Sequence, residues 1–305
     1  MKRMIMANEK NSSLNIAGKL KDYLKLVKLS LSIMVVFSSV LAYLLVPGIE
    51  SKYVNPLQMT ILLAIGGLLV TGSANTINQI VEKDTDAMMK RTASRPVASG
   101  RMSVTEAWVF AIVTAAVGIF ILGYYFNWTS AGLAAFSLFL YAFIYTPLKK
   151  VNAIAVLVGA FPGALPCLIG WAAGDETLSI GGWVLFALQF LWQFPHFWAI
   201  CWIAYKDYST AGFKLLPSDK GPTKYTALQT VIYSLLLLPV GVVPYFIGMS
   251  GLIGLIIVAV ANLFMVWQCV RLYREMDVKA ARRVMFSSYI YLPVVLFGLL
   301  GDKIG

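Results

Sequence analysis

Nine apolar stretches of near-equal length recur along this 305-residue chain, and they narrow its possible folds more than any other feature. They cover 29–47, 57–81, 104–125, 128–147, 152–173, 181–205, 226–247, 251–270 and 285–301. Each approaches the ~20 residues that a helix needs to cross a ~30 Å hydrocarbon core. Lipid offers backbone N–H and C=O groups no partners, so such segments must be helical. Charged residues make up only 13% of the chain, against roughly a quarter in soluble domains. The expectation is an all-α membrane protein, a bundle of nine transmembrane helices. Its thinnest joint lies between the third and fourth stretches, where little more than Phe126 and Asn127 intervenes.

The net charge of +11 would suggest nucleic acid in a soluble protein, but here position decides otherwise. Seven basic residues precede the first stretch (Lys2, Arg3, Lys10, Lys19, Lys21, Lys25 and Lys28). Five lie in 82–103, two are Lys149 and Lys150, four lie in 206–225 and five in 271–284. With nine spans and the N-terminus inside, these 23 of the 25 basic residues share one side, and only Lys52 and Lys303 fall on the other. That is the positive-inside pattern, so the basicity reports topology, with the C-terminus outside and no nucleic-acid partner. Residues 1–28 then form a cytoplasmic segment ahead of a single transmembrane domain over 29–305. They lack the short apolar core and cleavage site of a signal peptide, and Glu9 and Asp22 argue against a transit peptide. A bacterial inner membrane is the expected location. Cys167, Cys201 and Cys269 lie within spans at no metal-like spacing and read as packing residues.

The polar residues gather after the second and sixth stretches. In the first of these loops Asn78, Glu82 and Asp86 stand four apart, which places them on one face if the helix continues. Asp84 lies elsewhere on the same turns. Carboxylates so close repel one another unless something positive joins them, and Mg²⁺ is the obvious candidate. It takes oxygen ligands and usually bridges a few carboxylates to substrate phosphates. Lys90, Arg91 and Arg95 follow and suit phosphate oxygens, arginine in bidentate fashion. The plainer reading is a solvated loop whose charges set topology.

The second loop offers Asp207 as a further carboxylate, with Lys206 and Lys214 as phosphate partners. Tyr145 and Lys149 share a face at the end of the fourth stretch, and Lys149 either reaches a phosphate group or serves as an orientation signal. Lys28 reads more readily as a snorkelling residue. His196, the single histidine, lies inside an apolar stretch, where ionisable groups are costly and usually functional. It either packs in the core or serves a bound group. Pro162, Pro166 and Pro195 interrupt their helices and shape the space around them. Phe190, Trp192, Phe194 and Trp198 are aromatic enough to steady a cation, although packing explains most single rings.

Asn78-x-x-x-Glu82-x-Asp84-x-Asp86, followed by Met89, Arg91-Thr92 and Arg95-Pro96, resembles the first signature of the UbiA-type intramembrane prenyltransferases. Trp192-Gln-Phe-Pro-His196-Phe, Lys206-Asp-Tyr208 and Leu215-Leu-Pro217 resemble the second signature of their protohaem IX farnesyltransferase branch, and Tyr145-Thr-Pro-Leu-Lys149 is similar to a further feature. The likeness runs from Lys28 through the ninth stretch. It implies a nine-helix bundle around a membrane cavity that moves a farnesyl group from farnesyl diphosphate to a vinyl group of haem B, giving haem O.

In that scheme Asn78, Glu82, Asp86 and Asp207 are the catalytic set, and Glu82, Asp84, Asp86 and Asp207 hold Mg²⁺. Lys90, Arg91, Arg95, Lys149 and Lys206 bind diphosphate, while His196 and Trp192 meet haem, His196 by iron ligation or at a propionate. A downstream haem A synthase is an implied partner. Many relatives have aspartate where Glu82 stands, and the later loop lacks a second aspartate four residues from Asp207. The alternatives are an aromatic or quinone-precursor acceptor and, from another class, a secondary transporter. A transporter should keep its ionisable residues near the midplane, whereas here they cluster at one face.

Overall fold

A computed structural model describes residues 16–218 and 220–304. Lys2, Arg3, Glu9, Lys10 and Asp219 lie outside the described residues. The described chain is helical: α1 Ile16–Leu26, α2 Leu29–Leu44, α3 Pro56–Val81, α4 Lys83–Met88, α5 Val104–Tyr125, α6 Trp128–Leu148, α7 Ala155–Asp175, α8 Ile180–Ile203, α9 Tyr205–Thr210, α10 Lys224–Phe246, α11 Leu252–Glu275 and α12 Val278–Gly301. Eight of these are long and apolar enough to cross a membrane. A ninth span results when α1 and α2, bent by 50° at Val27–Lys28, are counted together.

The helices begin where the sequence supplies caps. Asn55, with Pro56 at the first helical position, starts α3; Ser103 starts α5, Asn127 α6, Thr223 α10 and Asp277 α12, each side-chain oxygen accepting a backbone N–H in the first turn. Asn127 also resolves the thin joint between the third and fourth stretches, because its Nδ2 donates to Ala172 O at 2.7 Å and pins the turn to α7. The last two helices run past their apolar stretches. Arg271 and Arg274 belong to α11, and Lys279, Arg282 and Arg283 to α12. Ion pairs from Arg271 and Arg283 to Glu275 hold this extension together.

Helices α2, α3, α5, α6 and α7 pack as one group, and α8, α10, α11 and α12 as another; α7 against α8 and α2 against α12 join them. Close approach at α7 needs small residues, as helix pairing in lipid generally does. A Cβ at Gly163 would lie 1.9 Å from Gln193 Oε1, and one at Gly170 would lie 1.8 Å from Ser39 O. Pro166 cannot donate the hydrogen bond that Pro162 O would receive within a regular helix. Ser137 of α6 donates to that carbonyl instead.

The loops sort onto two ends. At one, Arg101 pairs with Asp22, Arg91 meets Tyr208, Lys214 N donates to Lys149 O, and Lys224 lies over the Tyr273 ring. This basic end therefore unites the segments on which the charge count rests. At the other, Lys52 donates to Gly174 O and Glu176, and Lys303 to Leu44 O, Val46 O and Glu50.

Candidate functional site

The acidic face survives a break in its helix. Glu82 ends α3 and starts α4 with φ −92° and ψ 11°, yet Glu82 N still donates to Asn78 O (2.9 Å) and Asp86 N to Glu82 O (2.7 Å). One-turn connectivity thus carries through the break. All three side chains are buried, and Asp86 is wholly so. Each meets a basic group from a different part of the chain. Lys28 Nζ donates to Asn78 Oδ1 at 2.9 Å, Lys149 Nζ to Glu82 Oε1 at 2.9 Å, and Arg95 Nη1 to both Asp86 oxygens at 2.6 Å. The repulsion expected between the Glu82 and Asp86 carboxylates is relieved by Lys149 and Arg95, which converge with Lys28 on one helix end.

Local chemistry places those cations. Lys28 has φ 49° and sits at the bend between α1 and α2, which turns it toward α3. Snorkelling therefore does not describe it. Lys149 follows a π-helical turn, Leu140–Tyr145, a distortion that often marks functional sites. Its ammonium lies 4.5 Å from the centre of the Tyr145 ring and 5.9 Å from that of Phe213. Thr146 Oγ1 accepts from Asn78 Nδ2 at 3.3 Å and donates to Tyr141 O at 2.8 Å. Thr92 fixes the Asp86 turn by donating to Asp86 O. Burial is the largest influence on the Asp86 carboxyl and raises its pKa above the ordinary range, while Arg95 pulls the other way.

Not every expected residue joins this group. Asp84 is exposed, because two residues from both Glu82 and Asp86 is about 200° around a helix. Lys90 and Lys206 are exposed as well. Asp207 is half-buried in α9. Among the described residues no three acidic, histidine or cysteine side chains stand close enough to hold a metal ion by themselves. The set Glu82, Asp84, Asp86 and Asp207 is therefore not brought together. Arg91 reaches the second loop through Tyr208, whose hydroxyl it meets at 3.3 Å. Beside them opens a cavity of about 380 Å³ lined by residues including Cys201, Tyr205, Tyr208, Phe213, Lys214 and Leu216. Lys28, Thr146 and Tyr208 were not picked out as site residues from sequence. The position of Lys28 before the first stretch, the Tyr145-Thr-Pro run and the Lys206-Asp-Tyr208 run were the signals for them.

The second element lies along α8. Gln193 donates to Ala160 O, and Gln189 to Gly163 O and Ser38 Oγ, so these amides tie α8 to α7 and α2. Phe194 stacks on Tyr233 at 4.0 Å and Trp198 meets the same ring edge-on. This aromatic wall shares a buried cluster with Tyr145, the ring beside the Lys149 ammonium. His196 faces α12 instead. Its ring stacks on Trp192 at 4.9 Å, and its Nδ1 lies 2.7 Å from Ser288 Oγ. The three cysteines are free and buried, in keeping with packing.

The chain belongs to the UbiA prenyltransferase family, whose model matches residues 33–290. A protein of Cytophaga hutchinsonii named protoheme IX farnesyltransferase is 44% identical over 95% of this chain and 100% of its own length. The like-named protein of Flavobacterium johnsoniae is 40% identical over 97% and 99%. Among solved structures, a digeranylgeranylglyceryl phosphate synthase superposes with a TM-score of 0.77 at 20% identity, covering 93% of this chain and 98% of that one. A UbiA homologue from Archaeoglobus fulgidus bound to GPP and Mg²⁺ gives 0.68 at 17%, with 92% and 99% covered. The fold is that of a multi-pass intramembrane prenyltransferase.

Proposed function

We propose that this protein transfers the farnesyl group of farnesyl diphosphate to a vinyl group of haem B, yielding haem O and diphosphate. The observation that carries the reading is the convergence of Lys28, Lys149 and Arg95 on Asn78, Glu82 and Asp86. The near full-length likeness to proteins named protoheme IX farnesyltransferase supports the choice of substrates.

Cleavage of the allylic C–O bond leaves a farnesyl cation and a diphosphate whose new charge needs stabilising. Lys28, Lys149 and Arg95 supply positive charge in a setting poor in water, where electrostatic stabilisation is strongest, and Arg91 adds to it from the exposed rim. The donors on the acidic face are all hard oxygens, and Mg²⁺ commonly uses one or two carboxylates plus substrate phosphates rather than a cage made only of protein. Glu82 and Asp86, with Asn78 beside them, fit that pattern, so the lack of a preformed cage does not count against it. When bound, Mg²⁺ neutralises the diphosphate as it leaves. The apolar bundle and the rings of Tyr145, Phe194, Trp198 and Tyr233 shelter the cation from solvent until the vinyl carbon attacks. The C–C bond that forms moves the positive charge to the adjacent vinyl carbon, where water quenches it with loss of a proton. His196 and Trp192 serve the haem.

In this reading 29–305 is one catalytic domain and 1–28 is its cytoplasmic lead. The basic end faces the cytoplasm of a bacterial inner membrane, and a haem A synthase consumes the product. Reporter fusions within 82–103 and after Gly305 should fall on opposite sides. Product analysis by mass spectrometry, with haem B, Mg²⁺ and farnesyl diphosphate supplied, should give haem O. A prenylated aromatic acceptor in its place would assign the protein to another acceptor class.

A further inference from the structure

Two side chains assigned to the haem, both on α8, are held by one residue of the last helix. Ser288 of α12 is fully buried. Its carbonyl accepts the Trp192 indole N–H at 2.9 Å, and its hydroxyl lies 2.7 Å from His196 Nδ1. Trp192 and His196 stack with their planes 18° apart, so Ser288 fixes the pair as a unit from across the helix seam. The serine stands 92 residues from the histidine, and nothing in its local sequence marks it.

The hydroxyl does more than hold the ring, because it has one hydrogen and that hydrogen is already committed. Ser288 Oγ lies 2.6 Å from Met285 O. A carbonyl oxygen has no hydrogen to give, so the serine must donate there; two oxygens that close with no hydrogen between them would repel. The serine can then only accept from the imidazole. In the neutral ring this puts the hydrogen on Nδ1 and leaves the lone pair on Nε2. Among the described residues no hydrogen bond reaches Nε2, and His196 is half-buried, not fully enclosed. Tyr289, on the residue after the serine, meets the ring edge-on at 5.4 Å and is itself half exposed. The open nitrogen of the lone histidine is thus the one able to bind a metal, and its orientation is set by a hydrogen bond at the other nitrogen. Protein metal sites commonly fix a histidine in this way.

We propose that Ser288 is a positioning residue for the haem acceptor: it holds His196 as the Nδ1–H tautomer so that Nε2 ligates the haem iron. This deepens the farnesyl-transfer reading and rests on it for the identity of the acceptor. It also makes the last helix part of the acceptor site, although Trp192 and His196 both lie on α8.

His196 is the only histidine in the chain, so protein labelled with ¹⁵N-histidine reports this ring alone. The wild-type protein without haem should show a protonated Nδ1 and an unprotonated Nε2, and Ser288→Ala should lose that preference. Ser288→Thr, which keeps the hydroxyl, should retain it. Haem titration followed at the Soret band should give affinity about 10- to 100-fold weaker in Ser288→Ala, near wild type in Ser288→Thr, with Mg²⁺-dependent farnesyl diphosphate binding unchanged in both. A wild-type ring protonated at Nε2 overturns the proposal without using any variant. So does a Ser288→Ala protein with the wild-type haem spectrum and affinity; in both cases haem farnesylation itself stands if haem still binds. If the wild-type protein binds farnesyl diphosphate but no haem, the acceptor assignment falls, and the proposal with it.

Discussion

The end of α3 and the seam between α8 and α12 solve the same problem, fixing polar groups within an apolar bundle, in opposite ways. The first uses charge. Glu82 and Asp86 are buried against Lys149 and Arg95, and Asn78 against Lys28. The second uses neutral hydrogen bonds, in which Ser288 takes Trp192 on its carbonyl and His196 on its hydroxyl. A departing diphosphate carries several charges and needs counter-charge in place before it forms. A large, mostly apolar acceptor needs orientation, and in a bilayer a neutral contact gives that with less desolvation cost. The difference suggests that donor and acceptor recognition are separately built and should fail separately.

The strongest blow to the charged region alone is Asp86→Asn. It keeps the shape and loses the charge, and turnover should fall about 10²- to 10³-fold while haem affinity stays as it was. Retained turnover at saturating Mg²⁺ would reduce the acidic face to a topology signal. Glu82→Asp should be milder, since the carboxylate is kept and drawn back by one methylene.

The next effect concerns stability. Removing one member of the buried Lys149–Glu82 pair strands the other. Glu82→Gln or Lys149→Met alone should cost about 3–5 kcal/mol, and the double variant should recover most of the loss in detergent unfolding. Additive losses would show that the two side chains act independently. No comparable penalty is expected at the α8–α12 seam, where Ser288→Ala strands no charge.

The smallest effect sharpens the electrostatic account. Asp86 must be ionised to act, and burial already raises its pKa while Arg95 lowers it. Arg95→Gln removes the opposing influence, so the pKa rises further and protonation sets in at higher pH. The acid limb of the kcat/KM profile should therefore move upward by about 1–3 pH units. A limb that stays in place, or moves to lower pH, would assign it to another group.

These regions were not equally legible in the sequence. The spans follow from apolar length alone, and the acidic face from spacing of four. The spacing was readable even though the helix breaks at Glu82, because the i to i+4 bonds persist through the break. Asp84 was grouped with its neighbours by closeness in sequence, and the turn of the helix sends it to the surface. Arg95 was expected at phosphate, and Lys149 either there or as an orientation signal; the structure adds a carboxylate partner for each that the sequence did not announce. Those partners lie nine and 67 residues away. Helical spacing covers neither distance. Ser288 was illegible for the same reason: its role depends on which helix packs beside α8, and apolar periodicity does not specify neighbours.

The separation of donor and acceptor recognition is tested most directly by titrating two variants with both substrates. Asp86→Asn and His196→Ala, each purified and folded in detergent, would be titrated with haem B at the Soret band. Calorimetry would follow farnesyl diphosphate in the presence of Mg²⁺. The two losses should cross. Asp86→Asn should bind haem as the wild type does and lose Mg²⁺-dependent farnesyl diphosphate binding; His196→Ala should do the reverse and alter the haem spectrum. Two variants that lose both ligands together, or a His196→Ala protein with unchanged haem spectrum and affinity, would contradict the account.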